Sequence, residues 1–323
     1  MFLLAAAVAG GAYYWLATQP LAMPAARVEF RVPSGVGLRS VAGIVARSGI
    51  QLPAWQLTLL GRALGRSDKI KAGSYEVGSG ITALQLLDIL TRGDVSRGEI
   101  TFVDGRGFRQ FRAQLDGNPH LEHDSKDLTE EQILAKLGID EKHAEGWFFP
   151  DTYLFDKGSS DLDVLRRAHS AMAKRLDEAW GTRDPQLPLK TPYELLVLAS
   201  IVEKETGLAS DRGQIASVFV NRLRRGMPLQ TDPTVIYGMG ERFDGNLRKA
   251  DLLADTPWNT YTRSGLPPTP IAMPGAAALQ AVSRPPTTEF LYFVSRGDGS
   301  SEFSATLEAH NRAVNRYQRG GKS

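Results

Sequence analysis

The sequence contains no cysteine. Disulfides, thiolate zinc sites and cysteine nucleophiles are thereby excluded. The absence fits a protein that works outside the cytoplasm and avoids stray oxidation. Charge of one sign is also missing: the formal net charge is +2, and no basic run is interleaved with aromatics. That argues against nucleic acid as the main partner. No pair of histidines or acids has metal-ligand spacing, so neither a metal nor a cofactor is expected. What is present, 42% hydrophobic and 23% charged residues, is the composition of a globular chain. The 323 residues suffice for two domains of about 100–200 residues each.

Charge is absent altogether from residues 1–26. Residues 2–18 are almost wholly apolar and include the cluster Tyr13-Tyr14-Trp15. About 17 residues is the short limit for a membrane-spanning helix, and an aromatic cluster at one end suits the lipid interface. We expect a transmembrane anchor over residues 1–20, with nearly the whole chain on one side of the membrane. A cleaved signal peptide or a soluble helix is the alternative, but no basic n-region precedes the apolar run.

Residues 28–32 (VEFRV) alternate as a half-buried strand does. A helix with Leu38, Val41, Ile44 and Val45 on one face should follow and end near Gly49, then a second over residues 52–64. Residues 71–77 read as a turn and a short strand, and residues 81–90 as a helix with Thr82 as its N-cap. Residues 99–115 repeat the strand, turn, helix order, so two such units could build a small α+β module. The polar stretch 120–142 is the expected boundary. The second lobe opens on EGWFFPDTYLF at residues 145–155, an aromatic segment that either anchors a loop or faces a ligand.

The helix expected over residues 192–206 ends in VEKET. At 100° per residue, Leu195, Ala199, Val202 and Thr206 form one stripe. Glu203 and Glu205 fall on its opposite borders, and the wheel alone does not choose between them. The next helix carries the D-x-x-Q spacing of a capping box at Asp211 and Gln214 and stops at Gly226. The Pro-rich loop at residues 258–275 is stiff and suits binding of a polar ligand. A strand at 290–294, a turn at Gly297-Asp298-Gly299 and a helix over 306–317 close the chain.

ASIVEKET, VFVNRLRRGMPLQTDPTVIYGMG, NTY with GLPPTPIAMPG, and FSATLEAHN together resemble the endolytic murein transglycosylase, or YceG-like, family. The resemblance runs from about Glu145 to the C-terminus. It implies an α+β protein: a membrane anchor over 1–20, a small LysM-like module over 27–120 and a lysozyme-like mixed catalytic domain over 141–323. It also implies a single-pass inner-membrane protein with an extracytoplasmic catalytic domain, whose partners are peptidoglycan glycan strands, the membrane and peptidoglycan synthases. In lytic transglycosylases an acid precedes Ser or Thr at a helix end, which selects Glu205, followed by Thr206, as the catalytic acid. By the same resemblance Glu203, Asn221, Gln230, Asp232, Thr234, Tyr237, Asn259 and Tyr261 line the substrate cleft. Departures from the family pattern are Trp258, Thr269 and Met273, and Ser301 or Glu302 where many members carry histidine.

The implied reaction is cleavage of the MurNAc–GlcNAc β-1,4 bond of nascent glycan, a step that could terminate glycan elongation, leaving 1,6-anhydroMurNAc ends. It needs one carboxylic acid kept protonated at neutral pH, with a pKa raised to about 6 in the lysozyme pattern. Leu198 and Ile201 are the candidate apolar wall. The same glutamate then reclaims a proton from the sugar's C6 hydroxyl. A muramidase-type hydrolase would need a second carboxylate, Asp232 or Asp151, and a non-catalytic glycan-binding scaffold would need neither.

Overall fold

The computed structural model describes residues 10, 11 and 13–320. The strands are β1 (Arg27–Val32), β2 (Gly73–Gly78), β3 (Arg97–Thr101), β4 (Leu121–Glu122), β5 (Thr152–Asp156), β6 (Ser159–Ser160), β7 (Tyr292–Ser295) and β8 (Ser301–Ser304). The helices are α1 (Leu38–Arg47), α2 (Ala54–Ala63), α3 (Ala83–Arg92), α4 (Phe108–Asp116), α5 (Glu130–Leu137), α6 (Asp161–Gly181), α7 (Pro192–Glu205), α8 (Ala209–Arg224), α9 (Asp232–Met239), α10 (Lys249–Leu253), α11 (Ala276–Ser283) and α12 (Leu307–Tyr317). This is an α+β architecture of two compact units. The first comprises the described residues up to Glu99 with residues 119–122 and 154–160, and the second the remaining described residues.

In the first unit β1 and β2 pair antiparallel, with Phe30 opposite Tyr75 and their rings stacked at 5.8 Å. The alternation in VEFRV sends Val28, Phe30 and Val32 inward. They meet Leu38, Val41 and Val45 of α1, Leu57 and Leu60 of α2, and Leu86, Leu87 and Leu90 of α3. Thr82 caps α3 in a reciprocal box with Gln85, and Gly93 ends it in the left-handed conformation.

Residues 13–17 are helical and rest on this core. Ala17 is 1% exposed, and the Tyr13 hydroxyl donates to the Gln56 carbonyl at 2.6 Å. Pro20 and Leu21 continue onto the chain just before α3, where Leu21 N–H donates to Ile81. No helix among the described residues is long and apolar enough to cross a membrane. The anchor expected over residues 1–20 lies in large part outside the described residues.

The two strand–turn–helix units read from the sequence do not share a sheet: β1 pairs with β2, and β3 pairs with β5. In the second unit the aromatic segment 145–155 anchors the chain. Phe148, Phe149 and Tyr153 are buried there. Phe102 stacks on Phe111 at 4.1 Å, Phe108 stacks on Phe148, and Phe149 N–H donates to Ala168 of α6.

Helix α7 is the centre of the second unit. Every residue from Leu195 to Val202 is buried, so the single apolar stripe expected for this helix is in fact its whole circumference, as for a helix sunk in a core. Thr191 caps its N-terminus by accepting from Glu194 N–H, and Pro192 follows at N1. Helices α6, α8 and α11 pack around it. Ser200, fully buried, accepts Ile271 N–H at 3.0 Å and donates to Val197, tying the Pro-rich loop to α7. The capping box expected for α8 does not form. Leu208 occupies the N-cap, and Asp211 turns instead to the Ser301 N–H at the start of β8, at 2.6 Å. Strands β7 and β8 form the expected hairpin, and α12 follows with Thr306 as cap.

Glu145 accepts the N–H of Phe108 at 3.1 Å, at the first turn of α4. Burial, opposed by that bond, pushes its carboxyl up to about 8 from an ordinary 4.5. The folded chain thus keeps a proton that the unfolded chain releases between those values. Stability falls as pH rises through that window, by up to about 1.4 kcal/mol per unit. Glu145→Gln keeps an acceptor for Phe108. Urea denaturation is expected to show it more stable than wild type at pH 8, with no such advantage at pH 4.

Candidate active site

Helix α7 stops at Glu205 because Thr206 turns extended, with φ −150° and ψ 136°. The Thr206 hydroxyl then accepts Leu208 N–H at 2.9 Å and opens the turn into α8. The last side chain of the buried helix therefore emerges at an inner wall. It lines a cavity of about 620 Å³, shared with Arg222, Gln230, Thr231, Asp232, Tyr261, Tyr292 and His310 among others. That volume lies within the 300–1,000 Å³ usual for ligand sites.

Thr231 precedes α9 and donates its hydroxyl to Glu205 Oε1. It is itself fixed by its N–H on the Thr260 hydroxyl at 3.1 Å. Burial raises the Glu205 carboxyl above the ordinary glutamate range, the Thr231 bond works against the rise, and the charge of Asp232 adds to it. Asp232 in turn accepts from the Tyr261 hydroxyl at 2.6 Å. Burial, aided by that bond, holds Tyr261 as a neutral donor.

Gln230 has φ 51°, the single non-glycine residue with positive φ among the described residues. Left-handed backbone at such a residue costs roughly 1–3 kcal/mol and clusters at functional sites. Here it is held by Gln230 N–H on the Thr260 carbonyl at 3.0 Å. Arg222 of α8 is buried and spends its guanidinium on the carbonyls of Leu291 at 2.7 Å and Leu229 at 2.8 Å. It thus ties the 229–232 turn to β7. On the opposite wall the His310 ring stacks on Tyr292 at 5.2 Å. Burial and nearby Arg222 keep His310 below its ordinary pKa, so it is a neutral imidazole at physiological pH.

Of the residues chosen from the sequence, the fold brings Glu205, Gln230, Asp232 and Tyr261 together around one cavity. The others stand apart from that lining. Asn221 gives its amide to the carbonyls of Thr288 and Phe290. Asn259 donates to the carbonyls of Leu252 and Ala254 that end α10, and accepts Tyr261 N–H. Thr234, fully buried, bonds Thr231 and Thr260. Asn259 and Thr234 thus hold in place the turns that present Tyr261 and Thr231. Tyr237 packs edge-on to Trp258 and faces Glu145. Glu203 turns the other way from Glu205 and accepts Gly275 N–H at 2.9 Å, at the N-terminus of α11.

Sequence reasoning did not find Arg222, Thr231, Tyr292, His310 or Asn311, all of which line the cavity. Arg222 and Thr231 each stood beside a chosen residue, within quoted motifs. A signal for His310 was present in LEAHN, since a histidine at helix spacing from Val314 places both on one face of α12.

The chain matches the family model described as YceG-like over residues 30–316. It is 30% identical over 314 residues to a Bacillus subtilis (strain 168) protein named endolytic murein transglycosylase, covering 90% of this chain and 84% of that one. A Streptococcus pneumoniae serotype 2 (strain D39) protein of the same name is 28% identical over 325 residues, covering 89% of this chain and 58% of that longer one. Among solved structures, a yceG-like protein from Listeria monocytogenes is similar with a TM-score of 0.58 at 26% identity, over 88% of this chain and 98% of that one.

The neighbours of Glu205 act on its titration in opposite senses. Thr231→Val removes a donor to the ionised form and is expected to move the carboxyl midpoint up. Asp232→Asn removes a repelling charge and is expected to move it down. Carbon-13 NMR titration of the glutamate side chains in both variants checks the two directions.

Proposed function

The chain belongs to the YceG-like family, and on that premise we propose how its cavity performs the endolytic murein transglycosylase reaction for which its relatives are named. Glu205 is the catalytic acid. The observation that carries this assignment is a desolvated carboxyl, the last side chain of a helix buried on all sides, lining a cavity large enough for sugar rings.

In the first step the protonated Glu205 gives its hydrogen to the glycosidic oxygen between MurNAc and GlcNAc. The C1–O bond breaks, the GlcNAc side leaves as a free 4-hydroxyl, and positive charge develops at C1 of the muramyl ring. Glu205 is left as a carboxylate. In the second step the C6 hydroxyl of the same muramyl residue attacks C1 and returns its proton to Glu205. A 1,6-anhydro ring closes, and the acid is regenerated with no water consumed. Thr231 aims the carboxyl and steadies its ionised form between the steps. Gln230, Asp232 and Tyr261 offer hydrogen-bonding groups to sugar hydroxyls and N-acetyl groups. Asn221, Thr234, Asn259, Tyr237 and Glu203 support the turns and helix ends that shape the cleft.

The first unit runs β1, α1, α2, β2 with the two strands antiparallel. That order supports reading it as a LysM-like module giving affinity for glycan, and the second unit as the lysozyme-like catalytic one. A peptidoglycan substrate places the catalytic unit outside the cytoplasm. The apolar composition of the residues before Tyr13 supports an inner-membrane anchor that keeps the enzyme near newly made strands and the synthases that make them.

A hydrolytic reading has one observation in its favour: Asp232 is a second carboxylate lining the same cavity as Glu205. The products decide. Uncrosslinked glycan treated with the protein is expected to yield anhydro-muramyl ends by mass spectrometry, whereas reducing ends would establish hydrolysis. Glu205→Gln is expected to lower cleavage by about 10²–10⁴-fold while glycan binding persists. Undiminished cleavage by that variant would remove Glu205 from the mechanism.

A further inference from the structure

Far along the chain from Glu205, three residues of the second unit converge that no motif links. Asp116 is the last residue of α4, His123 follows β4, and Asp161 is the first residue of α6. One ligand atom from each lies within 4.8 Å of the others.

Two of these groups carry an unmet demand. Asp116 Oδ1 and His123 Nδ1 are both buried with no hydrogen-bond partner. Buried polar atoms in folded proteins are nearly always paired, because an orphan bears its full desolvation cost. The third group is already oriented. Asp161 is fully buried and accepts the Ser125 hydroxyl at 2.6 Å and the Ser125 N–H at 3.2 Å. Arg112, one turn before Asp116, donates to the carbonyls of Ser125, Lys126 and Leu128. It thereby fixes the turn that carries Ser125, two residues beyond His123. This is how outer-shell partners hold metal ligands in other proteins.

We propose that Asp116, His123 and Asp161 bind a divalent transition ion of the zinc class. One imidazole nitrogen and two carboxylate oxygens suit zinc. They do not suit magnesium or calcium, which prefer all-oxygen shells, or the thiolate-seeking ions. Two negative charges balance the ion, and the two orphaned atoms acquire a partner. The ion's role is to staple α4 and α6 together through the turn between them. None of the three ligands lines the Glu205 cavity, so it takes no part in the sugar chemistry.

The test uses the full chain, stripped with a chelator and dialysed, and titrated calorimetrically with Zn²⁺ and separately with Mg²⁺. The proposal expects one Zn²⁺ per chain, little response to Mg²⁺, and a Tm raised by about 5 °C at saturating Zn²⁺. Asp116→Asn and His123→Gln should each weaken Zn²⁺ binding at least about tenfold and abolish the Tm rise. Imidazole nitrogen-15 NMR of the wild-type chain reads the same site without substitution, as a Zn²⁺-dependent displacement of the His123 Nδ1 resonance. Absence of stoichiometric Zn²⁺ binding, binding undiminished in both variants, or an unmoved His123 resonance overturns the proposal.

Discussion

The architecture of the second unit depends on one constraint: helix α7 is buried on every side from Leu195 to Val202. Each large apolar side chain sunk in this way contributes about 1.5–3 kcal/mol, so the helix has no face left with which to meet water or substrate. Its C-terminal end is what reaches the cavity that holds Glu205. Ser200 spends its hydroxyl inside the core, and the charged groups of the C-terminal half, Glu203, Lys204 and Glu205, are gathered in the last turn. Glu205 is hard to ionise because its helix belongs to the interior, and that is the condition a proton donor to a glycosidic oxygen requires.

A buried helix end is useful only if the opposite wall is held to it. Several polar side chains spend their hydrogen bonds on backbone groups for this purpose. Ser200 ties α7 to Ile271, Asn259 ties the end of α10 to the turn at Tyr261, and Arg222 ties the turn at Leu229 to β7. Buried amides and guanidinium groups satisfied in this manner rigidify the loops they touch. The left-handed backbone at Gln230 persists because Thr260, on a separate segment, holds the residues on either side of that peptide. The strain is maintained by the same contacts that set Thr231 against Glu205.

Much of the secondary structure was legible because it is locally determined. The alternation in β1, the cap at Thr82 and the closing helix over 306–317 follow from period and capping chemistry over a few residues. The failures are non-local. Asp211 carries capping-box spacing, yet a strand some ninety residues later, at Ser301, takes its carboxylate. The repeat of strand, turn and helix at residues 99–115 is real in order, yet β3 finds its partner in β5. In the candidate site, Glu205, Gln230, Asp232 and Tyr261 were reached through motif resemblance. His310 and Tyr292 were not, because their place opposite Glu205 is set by how α12 folds back on the β7–β8 hairpin. The group of Asp116, His123 and Asp161 has no regular spacing at all, so no reading of intervals could have found it.

A raised carboxyl pKa does not by itself identify the catalyst. Glu145, Glu203 and Glu205 are all raised, and in all three burial is the leading cause. Their partners separate them. Glu145 is committed to the N–H that begins α4, and Glu203 to the N–H that begins α11. Gly275, which donates to Glu203, approaches Asp104 so closely that a Cβ there would lie 2.5 Å from the Asp104 carboxylate. Glu205 alone of the three lines the cavity, where its partner is the Thr231 hydroxyl. Burial raises the proton affinity of all three acids; access to an open polar cavity is what sets the proposed catalyst apart from the other two.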